Sequence, residues 1–262
     1  MELFRELADA FSEGKTMVYC LITRDRGSTP RKAGSRMLVK PDGSICGSIG
    51  GGATEYEVIQ KALAMKSGDS PIVLEFELSE NNDKSCGGWM EVYLEILSPA
   101  DRLWIVGAGH VGKAAAALAQ RFNFQIRMID NRQGIFLSEE FKNYDCKEIP
   151  YEKWSESPEI CENDFVVIAT HDHSYDLLAT ATALKCKPSY LGVIASANKS
   201  EKMKHLLIES YGFAPSILSQ IEMPIGIPMA TATPDEIALS IVASLVDKRN
   251  RRKGLKPKKI NP

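Results

Sequence analysis

The run "RLWIVGAGHVGKAAAALAQRFNFQIRMIDNR" at 102–132 restricts the fold of this chain more than any other stretch. An apolar strand pattern ends at Gly107, Gly109 and Gly112 in G-x-G-x-x-G spacing, an Ala-rich helical stretch follows, and a second apolar strand ends on Asp130. The glycine spacing alone says little. Strand, glycines, helix, strand and terminal acid in this order predict a dinucleotide-type βαβ unit. Gly107 is expected to make the turn, Gly109 to admit a phosphate close to the backbone, and Gly112 to let the helix lie against the strand. His110 opens that helix, whose free amides and positive dipole end face the anion. Asp130 is placed to accept from a ribose hydroxyl, or else serves as a strand-end turn residue. Arg132 suits an extra phosphate instead, which leaves NAD, NADP and other nucleotides open.

Strand patterns at 164–169 and 189–194 alternate with helical ones after this unit. That alternation predicts a parallel sheet with helices on its faces. "IATHDHSYD" at 168–176 falls at the carboxyl end of one of these strands and gathers His171, Asp172, His173 and Asp176. The cluster has two readings of equal weight, a ligand or proton-handling role and simple helix capping, with metal binding the weakest. Near the end, Thr233, Pro234 and Glu236 in "TATPDEIALSIVASLV" predict a capping box, and Ile237, Ile241 and Leu245 a core stripe.

The upstream half reads differently: helix 2–12, strand 16–23, a hairpin through "KPDG", a helix from about residue 53, and strands near 71–78 and 90–97. The whole is therefore α/β, an N-terminal α+β domain at 1–98, a Rossmann-like parallel-sheet domain at 99–247, and a basic tail at 248–262. Gly50, Gly51 and Gly52 in "ICGSIGGGATEYE" stand at the entry of the upstream helix. Ordering three glycines is costly in backbone entropy. Either a tight turn or bare amides that hold an anion justify it. Net charge of −2 excludes a general nucleic-acid or membrane footprint, and no apolar run approaches the roughly 20 residues that span a bilayer. The six cysteines contain no C-x-x-C pair, so a zinc site is not expected. With no export signal, a cytoplasmic location and reduced thiols are expected. Cys86 stands apart, beside Gly87 and Gly88 and near Lys84, where a thiolate is favoured.

The segments "GSTPRKAGSRMLVKPDGSICGSIGGGATEYEV", "SCGGWMEVYLEI", "GAGHVG" with "IDNR", "THDHSYD" and "TPDEIALSIVASLV" together resemble the XdhC/CoxI family of xanthine dehydrogenase accessory proteins. They occur in that family's order and cover nearly the whole chain. The resemblance implies a cytoplasmic, oligomeric chaperone that binds molybdenum cofactor as cargo, assists its sulfuration and delivers it to a xanthine dehydrogenase-type molybdenum hydroxylase. A cysteine desulfurase is the implied sulfur source. Arg31 and Gly50–Gly52 would hold the anionic end of this cargo, and Cys86 would handle metal or sulfur. Gly107, Gly109, His110, Gly112, Asp130, Arg132 and His171 would line the second site, with NAD(P) as its alternative ligand. One departure is Ala53, where many family members carry Cys. The competing reading is an NAD(P)-dependent oxidoreductase of a small substrate, which leaves the glycine-rich first half unexplained.

Overall fold

A computed structural model describes residues 2–66, 68–78 and 87–256. The chain divides into two units, Met1–Pro99 with Asn250–Pro262, and Ala100–Arg249. The first contains α1 (Glu2–Ser12), β1 (Met17–Arg26), β2 (Arg36–Val39), β3 (Ile45–Gly47), α2 (Gly52–Ala64), β4 (Ile72–Leu78) and β5 (Gly88–Leu97). These strands form one antiparallel sheet in the order β3-β2-β1-β5-β4. Along β5, buried and half-buried residues alternate from Gly88, as a strand with one packed face requires. Val18, Cys20 and Ile22 of β1 join Met90, Val92 and Leu94 of β5 and close on Val58 and Ala62 of α2. The opposite face is covered in part by α1, whose Leu3, Leu7 and Ala10 pack on Met17 and Leu38.

Strand direction positions the loops. β1 and β3 both run towards the sheet end at which β5 begins, because each is antiparallel to β2 and β1 is antiparallel to β5. The loops that follow β1 and β3 and the entry into β5 therefore share one end of the sheet.

From residue 100 the elements are β6 (Arg102–Val106), α3 (His110–Gln120), β7 (Gln125–Asp130), β8 (Asp145–Glu148), α4 (Tyr151–Glu156), β9 (Phe165–Ile168), α5 (His173–Cys186), β10 (Tyr190–Val193), α6 (Ala197–Tyr211), α7 (Pro215–Leu218), β11 (Ile221–Glu222) and α8 (Pro234–Arg252). Six parallel strands lie in the order β11-β10-β9-β6-β7-β8. This is the doubly wound dinucleotide-binding order, with its reversal between β6 and β9. β6, β9 and β10 are buried throughout, and two apolar clusters lie on the two faces of the sheet. The expected α/β architecture is present, an antiparallel α+β unit and a Rossmann-like one. At the amino end of β6, Arg102 donates to Asp164 at 2.8 Å, and Trp104 Nε1 and the Cys161 amide donate to the same carboxylate at 2.8 and 2.9 Å. This buried network fastens β6 to the start of β9, on the side away from the ligand end. The capping box also forms: Glu236 N donates to Thr233 Oγ1, and Thr233 N donates to the Glu236 carboxylate. Among the described residues no helix is long and apolar enough to cross a membrane.

Candidate functional site

Three glycine-bearing segments meet at one end of the antiparallel sheet. Gly88 lies so close to the loop after β1 that a Cβ there would stand 1.9 Å from the Ser28 carbonyl oxygen. Gly27 meets Gly87 and Gly88 in the same way, with a Cβ position 3.1 Å from the Gly87 carbonyl. At Gly50 the corresponding point is 3.0 Å from Pro30 Cβ and 3.8 Å from Arg31 Cγ. The loop 27–31 thus touches both Gly87–Gly88 and Gly50, segments far apart in sequence. Asp25 shapes the first of them, accepting from the Ala33 amide at 2.8 Å and pairing with Lys32 at 3.0 Å, while Lys32 also donates to the Gly27 carbonyl. Lys32 is committed to the loop itself. Arg31 is exposed, and no hydrogen bond or ion pair engages its guanidinium among the described residues.

The glycine triplet corrects one expectation. Its amides are not bare: Glu55, in the first turn of α2, turns its carboxylate back to accept from Ile49 N at 3.0 Å, Gly51 N at 3.2 Å and Ser48 Oγ at 2.6 Å. Ser48 Oγ in turn accepts from Gly50 N at 3.1 Å. A side-chain carboxylate therefore fills the place proposed for an external anion, and the loop is held from within. Burial pushes the Glu55 carboxyl up, but the hydrogen bonds from Ser48 and the loop amides outweigh it and hold it below its ordinary value. The outer side of the turn stays open. Gly51 and Gly52, at φ of +77° and +67°, have nothing within 4 Å of where a Cβ would sit. The signal for Glu55 in the sequence is its position four residues after Gly51, where a first-turn acid reaches back to the helix entry.

Cys86 lies outside the described residues. Of the others, Cys20 is buried in the antiparallel core and its thiol is pushed up to about 12 by burial. Burial, then the Asp145 charge, raises Cys146 to about 11.

In the second unit the fingerprint glycines take the forms their spacing predicts. Gly107, at φ of +113°, would place a Cβ 2.1 Å from the Ala169 carbonyl oxygen, and Gly112 would place one 2.0 Å from that of Gly107. Gly109 caps α3 without a side-chain hydrogen bond and faces open space. His110 is exposed at the first position of α3 and lines a cavity of about 240 Å³ with Lys113, Glu140, Phe141, Tyr144 and Asp235.

Of its two expected roles, Asp130 is placed as the strand-end turn residue. It is fully buried, its Oδ2 accepts from Ala108 N at 2.7 Å, and its Oδ1 accepts from Arg132 N at 3.0 Å. Arg132 adds a two-pronged contact, Nε to Oδ1 at 2.9 Å and Nη2 to Oδ2 at 2.8 Å. A ribose hydroxyl would have to displace one of these four donors. Burial raises the Asp130 carboxyl, yet the Arg132 side chain and the Ala108 and Arg132 amides more than offset this and hold it low.

The His–Asp cluster resolves largely into capping. Asp172 is the N-cap of α5 and accepts from Ser174 N at 2.8 Å and Ser174 Oγ at 2.6 Å. Asp176 is buried and accepts from Thr170 N and Oγ1, with His173 Nδ1 3.6 Å away. His171 is exposed, its ring 5.4 Å from that of Tyr175. Among the described residues no group of three or more His, Cys, Asp or Glu side chains is placed to hold a metal ion.

Fold and sites together define a two-part protein, a small antiparallel unit with converging glycine loops joined to a doubly wound parallel-sheet unit. Residues 103–245 match the XdhC Rossmann domain and residues 10–77 match the XdhC and CoxI family. The chain belongs to the XdhC family. It is 31% identical over 261 residues to the uncharacterized protein YqeB of Escherichia coli K12, covering 97% of this chain and 47% of YqeB, so it spans about half the length of that relative. It is 25% identical to the molybdenum cofactor insertion chaperone PaoD of the same organism, over 94% of this chain and 88% of PaoD. A Bacillus subtilis protein named as a probable xanthine dehydrogenase subunit is 22% identical, over 95% of this chain and 98% of that one. The crystal structure of a xanthine dehydrogenase from Bacillus halodurans shares the fold, with a TM-score of 0.53 at 20% identity over 98% of each chain.

Proposed function

We propose that this chain carries molybdenum cofactor as cargo and loads it into a molybdenum hydroxylase of the xanthine dehydrogenase type. The observation that carries the reading is the meeting of segments 27–31, 50–52 and 87–88 at one sheet end, with the exposed Arg31 among them. The cargo is a pterin dithiolene that bears a phosphate, and it needs close backbone approach at one end and a soft ligand at the other. Gly51 and Gly52 offer the approach, Arg31 the charge, and Cys86, next in sequence to Gly87, the thiol for metal or sulfur. In this reading a cysteine desulfurase supplies the sulfur, Cys86 takes part in its transfer, and the carrier works as a homo-oligomer in the cytoplasm. PaoD, named as an insertion chaperone for this cofactor, supports the cargo assignment. The NAD form of the oxidoreductase alternative is weakened by Asp130, whose carboxylate is spent within the chain.

The test is anaerobic isolation from a host that makes the cofactor, followed by measurement of bound molybdenum and pterin. Both are expected to copurify with the wild type and to be lost in Gly51→Val, whose β-branched side chain resists the positive φ of that turn. Absence of both from the wild type refutes the cargo reading.

A further inference from the structure

The antiparallel sheet has a second face, away from α2, and α1 covers only part of it. Leu3, Leu7 and Ala10 of α1 pack on Met17 and Leu38, with Tyr19 and Cys46 beside them, so the helix lies on the β1–β3 side. The outward residues of β5, β4 and the far end of β1 are half-buried or exposed. Register sets their order. A bulge between Ile22 and Arg24 brings Arg24 and Arg26 onto the outward face, opposite Glu91 and Trp89 of β5. β4 adds Glu75 opposite Glu91 and Glu77 opposite Trp89. One row across the strands is therefore Arg26, Trp89 and Glu77, and the next is Arg24, Glu91 and Glu75. A third row, further along β5, is apolar, with Leu21, Tyr93 and a 54% exposed Val73.

The charges are sorted by strand. Both arginines stand on β1, both outer glutamates on β4, and β5 runs midway between them. Among the described residues the side chains of Arg26, Glu75 and Glu77 make no hydrogen bond or ion pair. Glu91, on the central strand, is engaged at home: Thr23 Oγ1 donates to it at 2.6 Å, and Arg24 Nη1 stands 4.0 Å away. A column of cations and a column of anions on either side of one strand are complementary to a copy of themselves. Under a two-fold axis parallel to the strands, above β5, β1 of each copy faces β4 of the other, and each arginine meets a glutamate of its own row. An axis across the strands would set arginine on arginine. The step made by α1 fits the parallel axis too. Packed sheets lie about 10 Å apart, close to the diameter of a helix, so each α1 would stand level with the partner's sheet, beyond its β4 edge. That edge is free within the sheet, since β4 pairs only with β5.

We propose that this face is a self-association surface, on which two copies of the chain pack through β1, β5 and β4, with Arg24 and Arg26 of each on Glu75 and Glu77 of the other. The proposal names an interface for the homo-oligomer of the reading above, but it rests on the order of charges and not on the cargo.

Sedimentation velocity on the full chain, free of molybdenum cofactor, tests it by charge reversal. The wild type is expected to dimerise, with dissociation on the order of micromolar because a face three strands wide is a small interface. Arg24→Glu with Arg26→Glu should give a monomer, and so should Glu75→Arg with Glu77→Arg, since each sets like charges together on both sides of the axis. An equimolar mixture of the two variants should dimerise again, because every reversed charge then meets an opposite one. Circular dichroism checks that the variants fold. If one does not, dilution of the wild type decides: Trp89 emission should move to longer wavelength as the dimer dissociates. A wild type that stays monomeric at its highest soluble concentration, a dimer that either folded variant retains, a mixture of folded variants that stays monomeric, or dissociation without a change in indole emission overturns the proposal. A dimer that carries no molybdenum when isolated from a host that makes the cofactor would refute the cargo reading and leave this face standing.

Discussion

Glu55 is a ligand that the protein supplies to itself. Its carboxylate satisfies three donors of the 48–51 turn, so Glu55→Gln should destabilise the first unit by about 1–3 kcal/mol, read as a lower denaturant midpoint. Because the folded carboxyl is held below its unfolded value, this stability is present above the ordinary carboxylate range and is lost as pH falls through the lowered value. Thermal melts of wild type and Glu55→Gln should therefore converge at acid pH, and a gap that persists there would contradict the assignment. The glycines separate two physical reasons for one residue type. At Gly88 the obstacle is the Ser28 carbonyl, and Gly88→Ala forces the backbone apart. At Gly51 the space is open and only the backbone resists, at φ of +77° and ψ of −174°, so Gly51→Ala should cost about 1–3 kcal/mol, less than Gly88→Ala. Equal midpoints for the two variants would remove the close-contact argument.

At the scale of elements, sequence pattern served best where the constraint is local in the chain. The close helix at Gly112, packed on the Gly107 carbonyl, and the box from Thr233 to Glu236 depend on residues within a few positions, and both were legible, as was the positive φ at Gly107. β8 and β11 were not, because "DCKE" and "IE" are short, polar or both and become strands only by lying on β7 and β10. Nor was the inward turn of Asp130, which is decided by the Ala108 amide 22 residues earlier and by Arg132, a side chain whose charge the sequence pattern sets against it as a rival. The meeting of three glycine segments was legible only as a shared resemblance; the contact itself follows from strand direction. Asp130→Ala leaves Arg132 without its partner and the turn at Ala108 unheld. A loss of about 3 kcal/mol is expected, at the lower limit for breaking a buried pair because Arg132 is half exposed. An unchanged melting temperature would show that the pair contributes little.

Over the whole molecule, each unit has its own apolar core, and the residues from Asn250 on belong with the first. Within that unit the Lys253 carbonyl lies against Gly68, so a fragment of residues 1–99 should be less stable than one that also carries 250–256, whereas residues 100–249 should fold alone. Proteolysis resistance of the three fragments checks this. The buried contact of Trp104 with Asp164 adds an optical consequence. Trp104 and Trp154 are 1% and 4% exposed in the second unit, while Trp89, on β5 of the first, is half-buried. Indole emission shifts to longer wavelength as water reaches the ring, so the blue side of this protein's fluorescence spectrum belongs to the parallel sheet and the red side carries the signal from Trp89. Two colours in one unlabelled sample thus follow two folding units, and a probe that binds beside the entry of β5 should change the redder one first.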